Sequence, residues 1–155
     1  MKKLCKALSL FLVVMLLSCS KDSSAPTLVG KWHFYSTGAK GNGSTIVWAA
    51  NDDTPCEAQS FDQLNADGSV YSEYYYNNVV TNACELQDNS QSPYTSTWRR
   101  EGDDFIWTSI DHTSNPPTQY EYKSHIVSLT DSELIVQNYS GDVLTDSYTK
   151  TIRIN

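Results

Sequence analysis

Three histidines, His33, His112 and His125, are the only imidazoles in the chain, so a neutral-pH general base or an imidazole-assisted nucleophile would have to be built from them. None sits in a recognisable nucleophile motif. His33 lies between Trp32 and Phe34 in an apolar stretch, where either a solvent-facing ring or a hydrogen-bonded, partly buried one is expected. The acidic pairs Asp52-Asp53 and Asp103-Asp104 stand among turn-forming residues. Neighbours along an extended chain point to opposite faces, so adjacency in sequence does not make a carboxylate dyad. The string "QLNADGS" fails as a calcium loop, because Gln63 occupies the first ligand position and Tyr74 the twelfth, where Asp and Glu are required. Cys-x-x-Cys and paired-histidine spacings are absent, which argues against zinc. The expectation is a protein that is not an enzyme and holds no metal or cofactor.

The four cysteines, Cys5, Cys19, Cys56 and Cys84, offer chemistry of another kind. Lys2, Lys3 and Lys6 precede an apolar block from Ala7 to Leu17, and the small residue Ser18 stands before Cys19. This is the layout of a signal peptide. Eleven helical residues reach only ~16 Å, about half of a ~30 Å hydrocarbon core, so the block is too short for a stable membrane span. Leu16-Leu17-Ser18-Cys19 resembles the lipobox of bacterial lipoproteins. The resemblance implies cleavage before Cys19, diacylglycerol on its sulfur and an acyl chain on its new amino group. The membrane partner is then reached through the N-terminal lipid, and the expected address is the outer membrane, on its periplasmic face or at the cell surface.

With Cys5 lost and Cys19 a thioether, Cys56 and Cys84 remain in an oxidising compartment and a disulfide between them is expected. Two buried free thiols are the alternative. Removing residues 1–18 takes three lysines and no acid, leaving eight basic residues against eighteen acidic ones, a net charge of −10. Such a body repels nucleic acid and anionic lipid. Residues 20–27, "SKDSSAPT", read with Cys19 as a lipidated tether, and residues 28–155 as one domain.

That domain is written in strands. Blocks of apolar and aromatic residues alternate with turn chemistry, and no stretch keeps helical spacing for three turns. Strands are expected over 28–35, 45–50, 58–65, 70–76, 94–100, 104–110, 120–129, 133–139 and 143–154, with a hairpin turn at Asp67-Gly68. Segment 77–93 is open: a strand around Val79–Ala83 with a polar loop, or a loop with one helical turn. Short connections imply antiparallel neighbours, and closing an antiparallel meander of 8–10 strands into a barrel removes its exposed edges.

Gly30-Lys31-Trp32, at the start of the domain, matches the G-x-W motif of lipocalins. The order that follows, Cys56, "LNADGSVY", Cys84, "STWRREGDDFIW" and "SHIVSLTDSELIVQ", resembles the lipocalin-like domain of small lipoproteins of Gram-negative bacteria. The resemblance implies an all-β, up-and-down lipocalin-like barrel. It also implies a closing arginine over Trp32, for which Arg153 is the candidate, with a solvated terminal charge as the alternative. The family's Thr-Asp-Tyr motif has no counterpart; Thr145-Asp146-Ser147-Tyr148 carries an extra residue and lies in the last strand.

Four tryptophans and ten tyrosines are the remaining clue to function. The pairs Tyr74/Tyr76, Phe105/Trp107 and Tyr120/Tyr122, together with Trp98, are the candidate lining for a small apolar ligand. The same aromatics also suit a barrel that fills itself, and that filled state is slightly favoured. Two functions follow. Either the protein carries a small apolar molecule inside the barrel, or the barrel is a platform for another envelope protein, a glycan or a host molecule. The lipobox yields the first prediction: Cys19→Ala abolishes incorporation of a clickable fatty acid, and equal labelling of the variant would refute lipidation at this residue.

Overall fold

A computed structural model describes residues 26–41, 43–88 and 92–155. The expected signal peptide, Cys19 and all but the last two residues of the expected tether lie outside the described residues. Eleven strands follow in order: β1 (Gly30–Lys40), β2 (Ile46–Trp48), β3 (Phe61–Leu64), β4 (Val70–Glu73), β5 (Tyr75–Asn78), β6 (Ala83–Leu86), β7 (Tyr94–Glu101), β8 (Asp104–Asp111), β9 (Thr118–Leu129), β10 (Glu133–Ser140) and β11 (Val143–Ile154). Eight of them form one antiparallel sheet in the spatial order β4-β3-β1-β11-β10-β9-β8-β7, and β2 pairs with β1 beside that path. The sheet curls into a nearly closed lipocalin-like barrel. The seam between β4 and β7 is joined at one end, by the bridge Ser69↔Thr97 and by the Trp98 amide donating to the Gly68 carbonyl at 2.8 Å.

Period-two alternation sends one face of each strand inward. Leu28, Trp32, Leu64, Leu134 and Val136 are buried there, with Val70, Trp98, Phe105, Trp107, Ile126 and Leu129 packed against them. A fully buried side chain of this kind contributes ~1.5–3 kcal/mol. The Trp32 indole donates to the Leu28 carbonyl at 2.7 Å, which folds the incoming chain under the barrel. Arg153 lies over that indole, 4.2 Å from the ring centroid, and its Nη1 donates to the Val29 carbonyl at 2.7 Å while Nη2 donates to Thr27. Gly30 makes room for it. Its φ is +142°, and a Cβ there would lie 2.2 Å from Arg153 Nη1.

A second layer covers the outside of β1 and β11. Trp48 of β2 lies across Gly38, where a Cβ would come within 2.7 Å of the ring. The Lys150 ammonium stands 4.4 Å from the Trp48 ring centroid, and Tyr148 beside it is 2% exposed. His33 faces this layer, buried, with its ring nitrogens bonded to the Ser60 carbonyl at 2.8 Å and the Asp53 carboxylate at 3.0 Å. Those two partners satisfy the ring structurally.

The segment after β4 departs from the sequence-based expectation. The return strand does not run to Tyr76: it leaves the barrel at Tyr74, and β5 pairs with β6 in a separate two-stranded sheet. Val79–Asn82 is the turn of that hairpin, not a strand. The Asn78 carboxamide oxygen accepts from the Val80 and Thr81 amides, and Asn82 takes a φ of 57°, both marks of side-chain-directed turning. The front of the expected third strand is a short 3-10 turn at Glu57–Gln59. The Cys56–Cys84 disulfide is present, with a Cα–Cα distance of 5.4 Å. It ties the β5–β6 hairpin to the loop ahead of β3, so it lies outside the barrel wall. In the chain-entropy picture, closing 28 residues stabilises by ~3–4 kcal/mol. Cys56→Ser/Cys84→Ser is therefore expected to lower the thermal midpoint clearly while β-sheet circular dichroism survives, with hydrogen exchange rising first in residues 75–86.

Candidate functional site

The core fills only the half of the barrel near Trp32. Beyond Trp107 the inward-facing residues become polar or exposed. β9 continues inward-facing from Ile126 through Ser124, Tyr122 and Tyr120, and the register Trp107↔Tyr122, Ser109↔Tyr120 and Tyr94↔Asp111 puts these partners on the same face. β10 adds Asn138, whose side chain joins Ser124, Ser147 and Thr149 by hydrogen bonds of 3.2–3.3 Å. On β1, Phe34 stands two residues beyond Trp32 on the same face but lines neither of the two openings that result. One, of about 890 Å³, lies along the β4–β7 seam against Val70, Ser72, Tyr74, Leu86, Tyr94 and Trp107. The other, of about 230 Å³, lies above Leu134 and Val136 between Trp107, Tyr122 and Asn138. Trp107 lines both.

Phe34, Tyr74, Tyr94, Tyr120 and Tyr122 remain 41–59% exposed, although all five belong to inward-facing positions. Asp62 stands on the same face, opposite Trp32 and Ser72. Its carboxylate accepts from the Ser72 hydroxyl at 2.5 Å and the Tyr74 hydroxyl at 2.9 Å. Burial of its hydroxyl end, followed by the Asp62 charge, pushes the Tyr74 phenol up to about 12. At the lip, the Thr113 hydroxyl and amide hold the Asp111 carboxyl below its ordinary range. The charge of Asp111 is in turn the main cause that raises the Tyr94 hydroxyl.

The sequence-predicted aromatics thus divide. Trp98, Phe105 and Trp107 form the floor, with the Trp98 indole donating to the Asn65 carbonyl at 2.9 Å. Tyr74, Tyr120 and Tyr122 stand above it. Tyr76 does not join them: the break at Tyr74 carries it onto the β5–β6 hairpin, where its hydroxyl donates to Glu85 at 3.1 Å. The barrel is filled only in its lower half, so the slightly favoured filled state describes half of it. Sequence reasoning missed Phe34, whose spacing from Trp32 already placed the two on one face. It also missed Tyr94, Asp62, Asp111 and Asn138, which only the strand register gathers. Trp32 and Arg153 close the opposite end and touch neither opening. Among the described residues, no helix is long and apolar enough to cross a membrane. No protein-family profile matches the chain, and no curated protein or solved structure does either.

The raised Tyr74 makes the site readable by pH. A phenol whose folded pKa exceeds its ordinary ~10 stabilises the fold fully below pH ~10 and loses that contribution as pH rises through about 12. Tyr74→Phe should remove one late-titrating phenolate from the ultraviolet difference titration and flatten the loss of stability between pH 10 and 12. Loss of a phenol titrating near pH ~10 instead would place Tyr74 in the ordinary range.

Proposed function

We propose that this chain is a non-enzymatic, lipocalin-like binding protein, tethered to the outer membrane of a Gram-negative cell envelope through lipid on Cys19, that takes a small, largely apolar molecule in the open half of its barrel. One observation carries the reading: five aromatic side chains occupy inward-facing positions above an aromatic floor and are left 41–59% exposed. A barrel built only to fill itself would close aliphatic side chains over Trp107. Leaving rings on a concave wall retains apolar area that a ligand can cover, with hydroxyls and Asn138 at hand to orient it.

The platform reading has its own observation: Val79 and Val80, 92% and 89% exposed, crown a hairpin fastened by the disulfide. The two are separable. The neutral fluorescent probe N-phenyl-1-naphthylamine should bind saturably at one site, with the affinity falling at least ~10-fold in Tyr122→Ser and in Tyr94→Ser, the scale of one lost aromatic contact. Both residues are exposed, so the fold is expected to tolerate the changes. Val79→Ser/Val80→Ser should leave binding unchanged. No saturable binding, or binding indifferent to Tyr122 and Tyr94, would remove the barrel interior as the site.

A further inference from the structure

On the reading that the open half of the barrel binds a small molecule, the charges around it select among ligands. The described residues contain seven lysines and arginines, and each stands away from the upper inward face. Lys31 lies over Phe61 and Lys40 over Tyr148, on the outer surface. Lys150 covers Trp48 and pairs with Glu133 at 3.5 Å. Arg99 pairs with Glu101 and Glu121 at 2.7 and 3.1 Å, and Lys123 with Asp104 at 2.9 Å, all on the outside of β7–β9. Arg100 turns to Gly102 and Asp103 at the strand end, and Arg153 closes the bottom over Trp32.

The upper inward face carries carboxylates and electron-rich rings instead. Asp62 stands on one wall and Asp111 on the other, where Asp111 pairs with Tyr94 across β7–β8 and Asp111, Tyr120 and Tyr122 all lie close enough to act electrostatically on the Tyr94 hydroxyl. Ring faces present negative charge, so a tyrosine cluster around an ionised carboxylate attracts a cation and repels an anion. The neutral lining of hydroxyls and Asn138 changes neither sign. The chain as a whole, at net −7, adds a field of the same direction.

We infer that the site takes an organic cation, an ammonium bearing an apolar or aromatic group, with its charged head among Tyr94, Tyr120, Tyr122 and Asp111 and its apolar part against Trp107. Carboxylate-bearing lipids and phosphorylated compounds are disfavoured for want of a counter-charge on that face.

Three probes of one shape test this: phenyltrimethylammonium, its neutral isostere tert-butylbenzene, and benzenesulfonate, each titrated into the folded protein by tryptophan fluorescence and saturation-transfer NMR. The cation should bind at least ~10-fold more tightly than the isostere, the scale of a desolvated cation–ring contact, and the sulfonate should not saturate. Asp111→Asn keeps the acceptor for Thr113 and removes the charge. It should weaken the cation several-fold and leave the isostere unchanged, and Tyr122→Leu should weaken the cation more than the isostere, since both lose an aromatic contact and only the cation loses the negative ring face. Equal or tighter binding of the isostere or the sulfonate, sensitive to Tyr122, would overturn the charge preference and leave the binding site standing. No binding by any probe would remove both.

Discussion

The contact on which the structure depends is the one between the two ends of the domain. β1 and β11 pair from Lys31↔Ile154 to Ala39↔Ser147, which turns an open meander into a curled sheet. Arg153 then seals the base, over Trp32 and bonded to the carbonyls of the chain that passes beneath. A half-buried guanidinium is tolerated because the ring face and two carbonyls replace its water, although its Nε is left without a partner. Gly30 belongs to the same arrangement, since any side chain there would occupy the space of the guanidinium. With the first and last strands joined, the free edges of the sheet fall at β4 and β7, and the seam lies there.

That placement explains why the barrel opens where it does. Near Gly68 the two edges are bridged; farther along, β4 is short and its chain leaves to form the β5–β6 hairpin. β7 continues as a free edge on that side, and the inward faces of β7, β8 and β9 stay uncovered. The disulfide fixes the hairpin to the loop before β3. The departure at Tyr74 is thus secured from two directions, by the Tyr74 hydroxyl on Asp62 and by the cystine beyond it.

Charge is sorted across the same wall. Apart from Arg153 at the base and Arg100 at its strand end, the cations of the described residues lie on the outer surface, where ion pairs stabilise little individually. Their aliphatic stems do more by covering apolar neighbours: Ile106, 2% exposed on the outer face of β8, is paired on either side with Arg99 and Lys123. Lys123 and His125 meet Asp104 there, and the lysine is the main cause that holds the Asp104 carboxyl low. With the positive charge used outside, aromatic rings and two carboxylates are left within.

Alternating apolar residues and turn residues such as Asp67-Gly68 were enough to read the class, the antiparallel meander and most strand positions from the sequence, because both are local properties of the chain. The even count of cysteines pointed to the Cys56–Cys84 bond for a similar reason, as a matter of chemistry rather than of shape. The period-two pairs Phe105/Trp107 and Tyr120/Tyr122 were legible as shared faces. Which face was inward was not, since "EYYYN" puts large rings on both sides and only the partner strands decide between them. The tertiary structure alone decided that the chain breaks at Tyr74 and strands Tyr76 on a hairpin. Register likewise decided that Asp111, Tyr94 and Tyr122, far apart in sequence, share one wall. A one-residue shift in pairing would have sent each of them to the other side, and nothing local to those residues specifies the pairing.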